Sequence, residues 1–145
     1  MVWIFRNPQF HAEKHKKLAE IDLVGVVDVD RENGEKIAKK NKVPYFENYK
    51  DLFGKVDAVS IVVPTQFHYA IAKDFLNQGI HVLVEKPIAS SVQEAQELVA
   101  LAKEKDLILE VGHIQRFNSA MVEARKDIKN PMFLEVHRMS PFQKD

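Results

Sequence analysis
The chain has 145 residues, enough for one domain with a sizeable core, and its 46% apolar and 29% charged residues are an ordinary globular balance. Lys+Arg and Asp+Glu number 21 each, so the formal charge is zero and nothing electrostatic points to nucleic acid or an anionic membrane as partner. The absence of cysteine excludes disulfides, thiolate catalysis and cysteine zinc sites, and fits a reducing cytoplasm.

In chain order, VWIF reads as a short strand, and Asn7 as the N-cap of a helix over QFHAEKHKKLAE with Pro8 at its first position. The start MVWIFRNPQFH lacks the basic lead and long apolar run of a secretory signal, and no apolar stretch approaches the roughly 20 residues that cross a bilayer. LVGVVDVD is a β-branched run of the kind buried in parallel sheets, ending on Asp28 and Asp30, and Asp30 can cap a helix over RENGEKIAKK. VPYFENYKDLF predicts a short strand, a turn and a short helical piece.

DAVSIVVPT is a second buried strand stopped by Pro64, with Thr65 expected to cap the helix QFHYAIAKDFLNQ and Gly79 placed just past its end. HVLVEKP is a third strand. Ser90 or Ser91 caps SVQEAQELVALAKEKD, whose Val92, Ala95, Leu98, Val99 and Ala102 follow helical spacing. LILEVGH is a further strand, FNSAMVEARKDI a helix, and FLEVHRM a last, alternating strand. Strands alternating with amphipathic helices predict an α/β fold, doubly wound around a mostly parallel, Rossmann-like sheet. Ligands bind beyond the carboxyl ends of the strands in such folds. Those ends bring together Asp28, then Pro64 with Thr65, then Glu85 with Lys86, then Gly112 with His113.

Each of these residues has a plain and a chemical reading. Asp28 is either a surface acid or a cap for the next helix, or it is the carboxylate that accepts hydrogen bonds from ribose hydroxyls in a dinucleotide fold, where its charge disfavours a 2′-phosphate and leans to NAD. Lys86 is either neutralised by Glu85 or held partly desolvated to share a substrate hydroxyl's proton; Pro87 after it is a candidate cis proline. His68 sits in the first turn of its helix near the crevice, His81 opens a strand, and His113 follows a strand end and is the better functional candidate. Arg116 and Phe117 either pair with an anion and pack on a ring or start a helix. His11 and His15 have metal-ligand spacing, but HAEKH is not HExxH and has no third ligand nearby, so a helix surface is expected and no metal. GxSxG, P-loop and triad patterns are absent.

GVVDVDRENGEKIAKK, VSIVVPTQFHYAIAKDFLNQGIHVLVEKPIA and EVGHIQRFN together resemble the N-terminal domain of the glucose-fructose oxidoreductase and inositol dehydrogenase (Gfo/Idh/MocA) family, through PTxxH, GxHVLxEKP and GHxxRFN at these spacings. The resemblance implies NAD or NADP as cofactor and hydride transfer at a carbinol carbon of a sugar, cyclitol or nucleotide sugar. It makes Lys86 the lysine that assists the reacting hydroxyl and Asp28 the ribose-binding acid, with Arg31 leaving NADP open. Pro64, Thr65 and His68 fall on the loop beside the cofactor. Glu85 and Pro87 help to shape the nicotinamide site, and His113 and Arg116 lie toward the substrate.

The sequence departs from the family twice. Its first glycine is Gly25, so no glycine-rich turn follows the first strand; counted back without gaps, the three glycine positions fall on Trp3, Phe5 and Pro8, where Trp3 and Phe5 would fill the pyrophosphate's space with side chains and Pro8 would remove an amide donor from the helix N-terminus. The first strand is then degenerate or missing, or VWIF is a shortened version of it. A missing strand would leave two edges facing a gap and predicts a homo-oligomer, formed by self-association or strand exchange. Residues 1–145 also make only one Rossmann-like domain, with 132–145 the expected start of an absent second domain that carries most of the substrate pocket. The expectations are a cytoplasmic, truncated oxidoreductase domain with impaired activity, or else a non-catalytic oligomerising α/β module; a third is a module recognising adenosine through Asp28 and Thr65.

Overall fold
A computed structural model describes the backbone of residues 2–5, and residues 21–133, 135 and 137. The chain divides into two units, residues 1–113 and 114–145. The expected helix over residues 9–20 and most of the last strand, FLEVHRM, lie outside the described residues.

Among its described residues the first unit holds six strands: β1 (Val2–Phe5), β2 (Gly25–Val27), β3 (Tyr45–Phe46), β4 (Ala58–Val62), β5 (His81–Val84) and β6 (Leu109–Val111). Three described helices connect them: α1 (Arg31–Asn41), α2 (His68–Asn77) and α3 (Val92–Glu104). All neighbours pair in parallel in the order β3-β2-β1-β4-β5-β6. The winding direction therefore reverses between β1 and β4, which is where a doubly wound sheet opens a crevice at the carboxyl ends of its strands.

The sheet exists because its strands are apolar on both faces. Side chains alternate along a strand, so Val27, Val59, Ile61, Val82 and Val84 point to a core shared with Ile71, Phe75 and Leu76 of α2 and Leu98 of α3. Val26 points the other way, to Leu23 and to Ile37 and Ala38 of α1. Each fully buried aliphatic or aromatic side chain contributes about 1.5–3 kcal/mol. Ser91 caps α3 in a reciprocal box with Glu94, and Asp30 caps α1 by accepting from the Asn33 amide.

Of the two readings of the chain's start, VWIF is the short first strand, and it is central: Trp3 pairs with Val26 on one side and Ser60 on the other, so the sheet has no gap beside it. Two expectations need correction. Thr65 caps nothing with its side chain; Pro64 leads into a 3-10 turn over Thr65–Phe67, and α2 starts only at His68. On α3 the stripe that meets the core is Leu98 with Ala102 and Leu101, whereas Val92 and Val99 are 76% and 55% exposed. The helix is rotated so that only one edge of its apolar arc touches the sheet.

In the second unit, a 3-10 turn over Ile114–Phe117 is followed by α4 (Ser119–Asp127), capped by the side chain of Asn118. Its large apolar side chains, among them Phe117 and Met121, are exposed.

Candidate functional site
A cleft of about 1060 Å³ lies at the carboxyl ends of β2, β3 and β4. The sequence positions it. Asp28 directly follows β2, two residues before the Asp30 cap turns the chain into α1, so the carboxylate stays at the strand end and under the first turn of the helix. Asp28 is only 4% exposed. Its Oδ1 accepts from the Asp30 amide at 2.9 Å and its Oδ2 from Asn33 Nδ2 at 2.7 Å, while its carbonyl accepts from the Tyr45 hydroxyl at 2.8 Å. Burial, then the charges of Glu47 and Asp28, hold the Tyr45 phenol above its ordinary range.

The opposite walls come from the segment after β3, with Glu47, Asn48 and Asp51, and from Pro64 and Phe67 at the start of α2. Four carboxylates line the cleft, those of Asp28, Asp30, Glu47 and Asp51, and no cation does among the described residues. Arg31 is not part of the lining. Its Nε donates to Glu35 Oε1 at 2.7 Å, one turn along α1, and that bond holds the guanidinium still more firmly protonated.

A second corner forms after β5. The Glu85 amide donates to Ile61 O at 2.9 Å, which keeps β4 and β5 paired to the end of the sheet. The Glu85 carboxylate lies over Gly112, where an added Cβ would come within 2.9 Å of Oε1. Glycine at that place is what lets the carboxylate settle against the end of β6. Lys86 is exposed and forms no ion pair with Glu85 among the described residues, and the Lys86–Pro87 peptide is cis.

His68 ties the two loops together. It is 1% exposed, with Nδ1 2.8 Å from Pro87 O and Nε2 2.8 Å from Val63 O. One ring thus spans the turn after β4 and the turn after β5. His113 is exposed just past β6, its amide bonded to Val111 O.

Of the residues singled out in the sequence, Asp28 and Pro64 line the cleft, and Glu85, Lys86 and Pro87 form the corner that His68 joins to it. Thr65 is half-buried in its 3-10 turn beside Pro64, while Arg31 turns to Glu35 instead. Arg116 belongs to the second unit and is exposed there. Sequence reasoning missed Asn33, Tyr45 and Glu47. The signal for Asn33 was available, since the third residue after a helix cap stands one turn above the strand end that precedes it. Tyr45 and Glu47 come from a neighbouring strand whose register no local pattern reveals. Among the described residues no cluster of three His, Asp or Glu could hold a metal ion, and no helix is long and apolar enough to cross a membrane.

The chain matches the family model described as "Oxidoreductase family, NAD-binding Rossmann fold" over residues 5–113. It is 36% identical over 136 residues to the UDP-N-acetylglucosamine 3-dehydrogenase of Acidithiobacillus ferrooxidans, a match covering 93% of this chain and 43% of the relative. The solved structure of that dehydrogenase, GnnA, superposes with a TM-score of 0.78 at 34% identity, over 87% of this chain and 42% of the other. GenD2 from gentamicin A biosynthesis, solved with NAD, gives 0.72 at 29% identity over 77% of this chain and 33% of its own. Biliverdin reductase from Synechocystis sp. PCC 6803, solved with biliverdin and NADP+, gives 0.81 at 27% identity over 87% of this chain and 41% of its own. The chain thus spans less than half the length of these relatives. By the extent of the family match and the level of these identities, the chain belongs to the Gfo/Idh/MocA oxidoreductases, and residues 5–113 are the part that matches the family's Rossmann fold.

Proposed function
We propose that the cleft over β2, β3 and β4 holds the adenosine end of a nicotinamide dinucleotide, and that the corner after β5 faces the carbon that exchanges hydride, on a sugar, cyclitol or nucleotide-sugar hydroxyl. The observation that carries this proposal is the buried Asp28 carboxylate lining the cleft, each oxygen accepting one protein hydrogen bond and keeping capacity for more. Those remaining acceptor positions fit the two donor hydroxyls of a ribose diol. When bound, the nicotinamide accepts or supplies the hydride.

This chain's own residues do the rest. Asp28 orients the ribose. His68 fixes the spacing of the Val63 and Pro87 carbonyls, and with it the two loops that flank the ligand. Lys86, exposed and without an ion-pair partner among the described residues, is free to hydrogen-bond the substrate hydroxyl and share its proton. His113 serves the substrate side. The kinship with a UDP-N-acetylglucosamine 3-dehydrogenase supports a nucleotide sugar within this range.

One observation favours a second reading, a module that binds no cofactor: no glycine precedes Gly25, so the usual close approach of backbone to pyrophosphate lacks its residue type. Amide chemical shifts on addition of NADH separate the two. The oxidoreductase reading expects saturable changes clustered at residues 28–33, 47–51, 63–68 and 85–87. A folded chain whose spectrum does not move, or moves only elsewhere, supports the module.

A further inference from the structure
We propose that Asn33 determines cofactor specificity: by pinning the Asp28 carboxylate it restricts the cleft to an adenosine with a free 2′-hydroxyl, so the chain takes NAD(H) and excludes NADP(H). The inference rests on the proposal that this cleft is an adenosine site, and it adds which dinucleotide enters and which residue decides.

The geometry is specific. A carboxylate only accepts, so the Asn33 side chain must turn its Nδ2 to Asp28 Oδ2, and it does so at 2.7 Å. The Asp30 amide holds the other oxygen at 2.9 Å. Two donors from one short turn thus fix the carboxylate plane, and its remaining lone pairs are left for the two ribose hydroxyls. Fixed in this way, Asp28 cannot swing aside for a bulkier group. Asn33 Oδ1 has no donor among the described residues, which leaves an acceptor for a hydroxyl or an amino group at the same wall.

The charge balance acts in the same direction. A 2′-phosphate brings nearly two negative charges into a cleft lined by four carboxylates and no cation among the described residues. Arg31, the nearest guanidinium in sequence, is bonded to Glu35. That pair is exposed at both ends, and exposed pairs are weak. Arg31 is therefore held off by preference and not by force, and the exclusion comes chiefly from the pinned Asp28 and its acidic neighbours. Freeing Arg31 with Glu35→Gln should help NADPH less than releasing Asp28 does.

The test is the affinity of the whole chain for NADH and for NADPH, read from nucleotide fluorescence, with adenosine 5′-monophosphate and adenosine 2′,5′-bisphosphate as competing probes. The expected preference for NADH is about ten-fold or more, matched by the same order between the two adenosine probes. Asn33→Ala, or Asn33→Leu, which keeps the volume without the donor, should cut the NADH:NADPH ratio by about three-fold or more. A general loss of structure would weaken both ligands together and leave the ratio alone. Equal or tighter binding of NADPH by the unaltered chain overturns the exclusion while the cleft remains an adenosine site. A ratio unchanged in both Asn33 variants overturns the role of Asn33. Binding of none of the four probes overturns the adenosine site itself.

Discussion

Gly34 shows at residue scale how tightly the Asp28 corner is built. A Cβ there would lie 2.3 Å from Tyr45 Cε2 and 3.0 Å from the Asp28 Cβ, so α1 can approach β2 and β3 only through glycine. Alanine is better than glycine inside a helix by about 1 kcal/mol, but overpacking against a ring costs about 1–3 kcal/mol. Gly34→Ala should therefore destabilise the chain in urea unfolding; a gain in stability would mean that Tyr45 is not held where its hydroxyl meets Asp28 O. His68 gives the second residue-scale prediction. Replacing it with alanine empties a fully buried site and takes the ring N–H from the carbonyl it serves, a loss on the order of 3 kcal/mol. Hydrogen exchange should quicken at residues 85–88 after this change, and unaltered protection there would count against the bridge. The sequence placed Asp28 and Lys86 at strand ends, and His68 in the helical turn after another, because apolar runs stop visibly at Asp and at Pro. It could not show that both His68 nitrogens are engaged, since one partner lies nineteen residues away on another loop.

At element scale, α2 and α3 end in the same way with different residues. Past α2, Gly79 N bonds Leu76 O and Ile80 N bonds Phe75 O; past α3, Asp106 N bonds Lys103 O and Leu107 N bonds Ala102 O. Both turns need a left-handed residue, Gly79 at φ 76° and Asp106 at φ 56°. An aspartate is strained there and glycine is not, so Asp106→Gly should raise stability by about 0.5–1 kcal/mol in chemical denaturation; a loss would assign Asp106 a side-chain role absent from this turn. The Gly79 stop was legible in the sequence, whereas the Asp106 stop was hidden because nothing local marks an aspartate as left-handed.

The 3-10 turn over Tyr49–Leu52 is anchored to α2 by the Tyr49 hydroxyl donating to Asp74 Oδ2 at 2.8 Å, beside Phe53 and Phe75. Burial first, then that bond, pushes the phenol from its ordinary value of 10 up to about 12. The fold thus favours the protonated phenol. Its contribution is whole below about pH 10 and is lost as pH rises toward about 12. Melting temperature should fall from about pH 9 to about pH 11.5 more steeply in the unaltered chain than in Tyr49→Phe; parallel curves would show that the anchor does not titrate.

For the whole molecule, the strand order is what makes one site out of distant segments. Asp28, Pro64 and Lys86 follow β2, β4 and β5, which lie on the two sides of β1. The alternation of strands and helices was enough to foresee a parallel, doubly wound sheet. The place of the first strand was not. Counting back to missing glycines assigned turn positions to Trp3 and Phe5, yet four apolar residues suit a central strand with neighbours on both sides, and both residues lie in β1. With β1 in the middle of the sheet, the open edges that predicted strand exchange are not there.

If the Asp28 cleft receives an adenine dinucleotide, calorimetric titration of the folded chain with NADH reads it out. One saturable site, weakened by about ten-fold or more in Asp28→Ala, is the predicted result; no heat at millimolar NADH, or binding indifferent to that substitution, would contradict it.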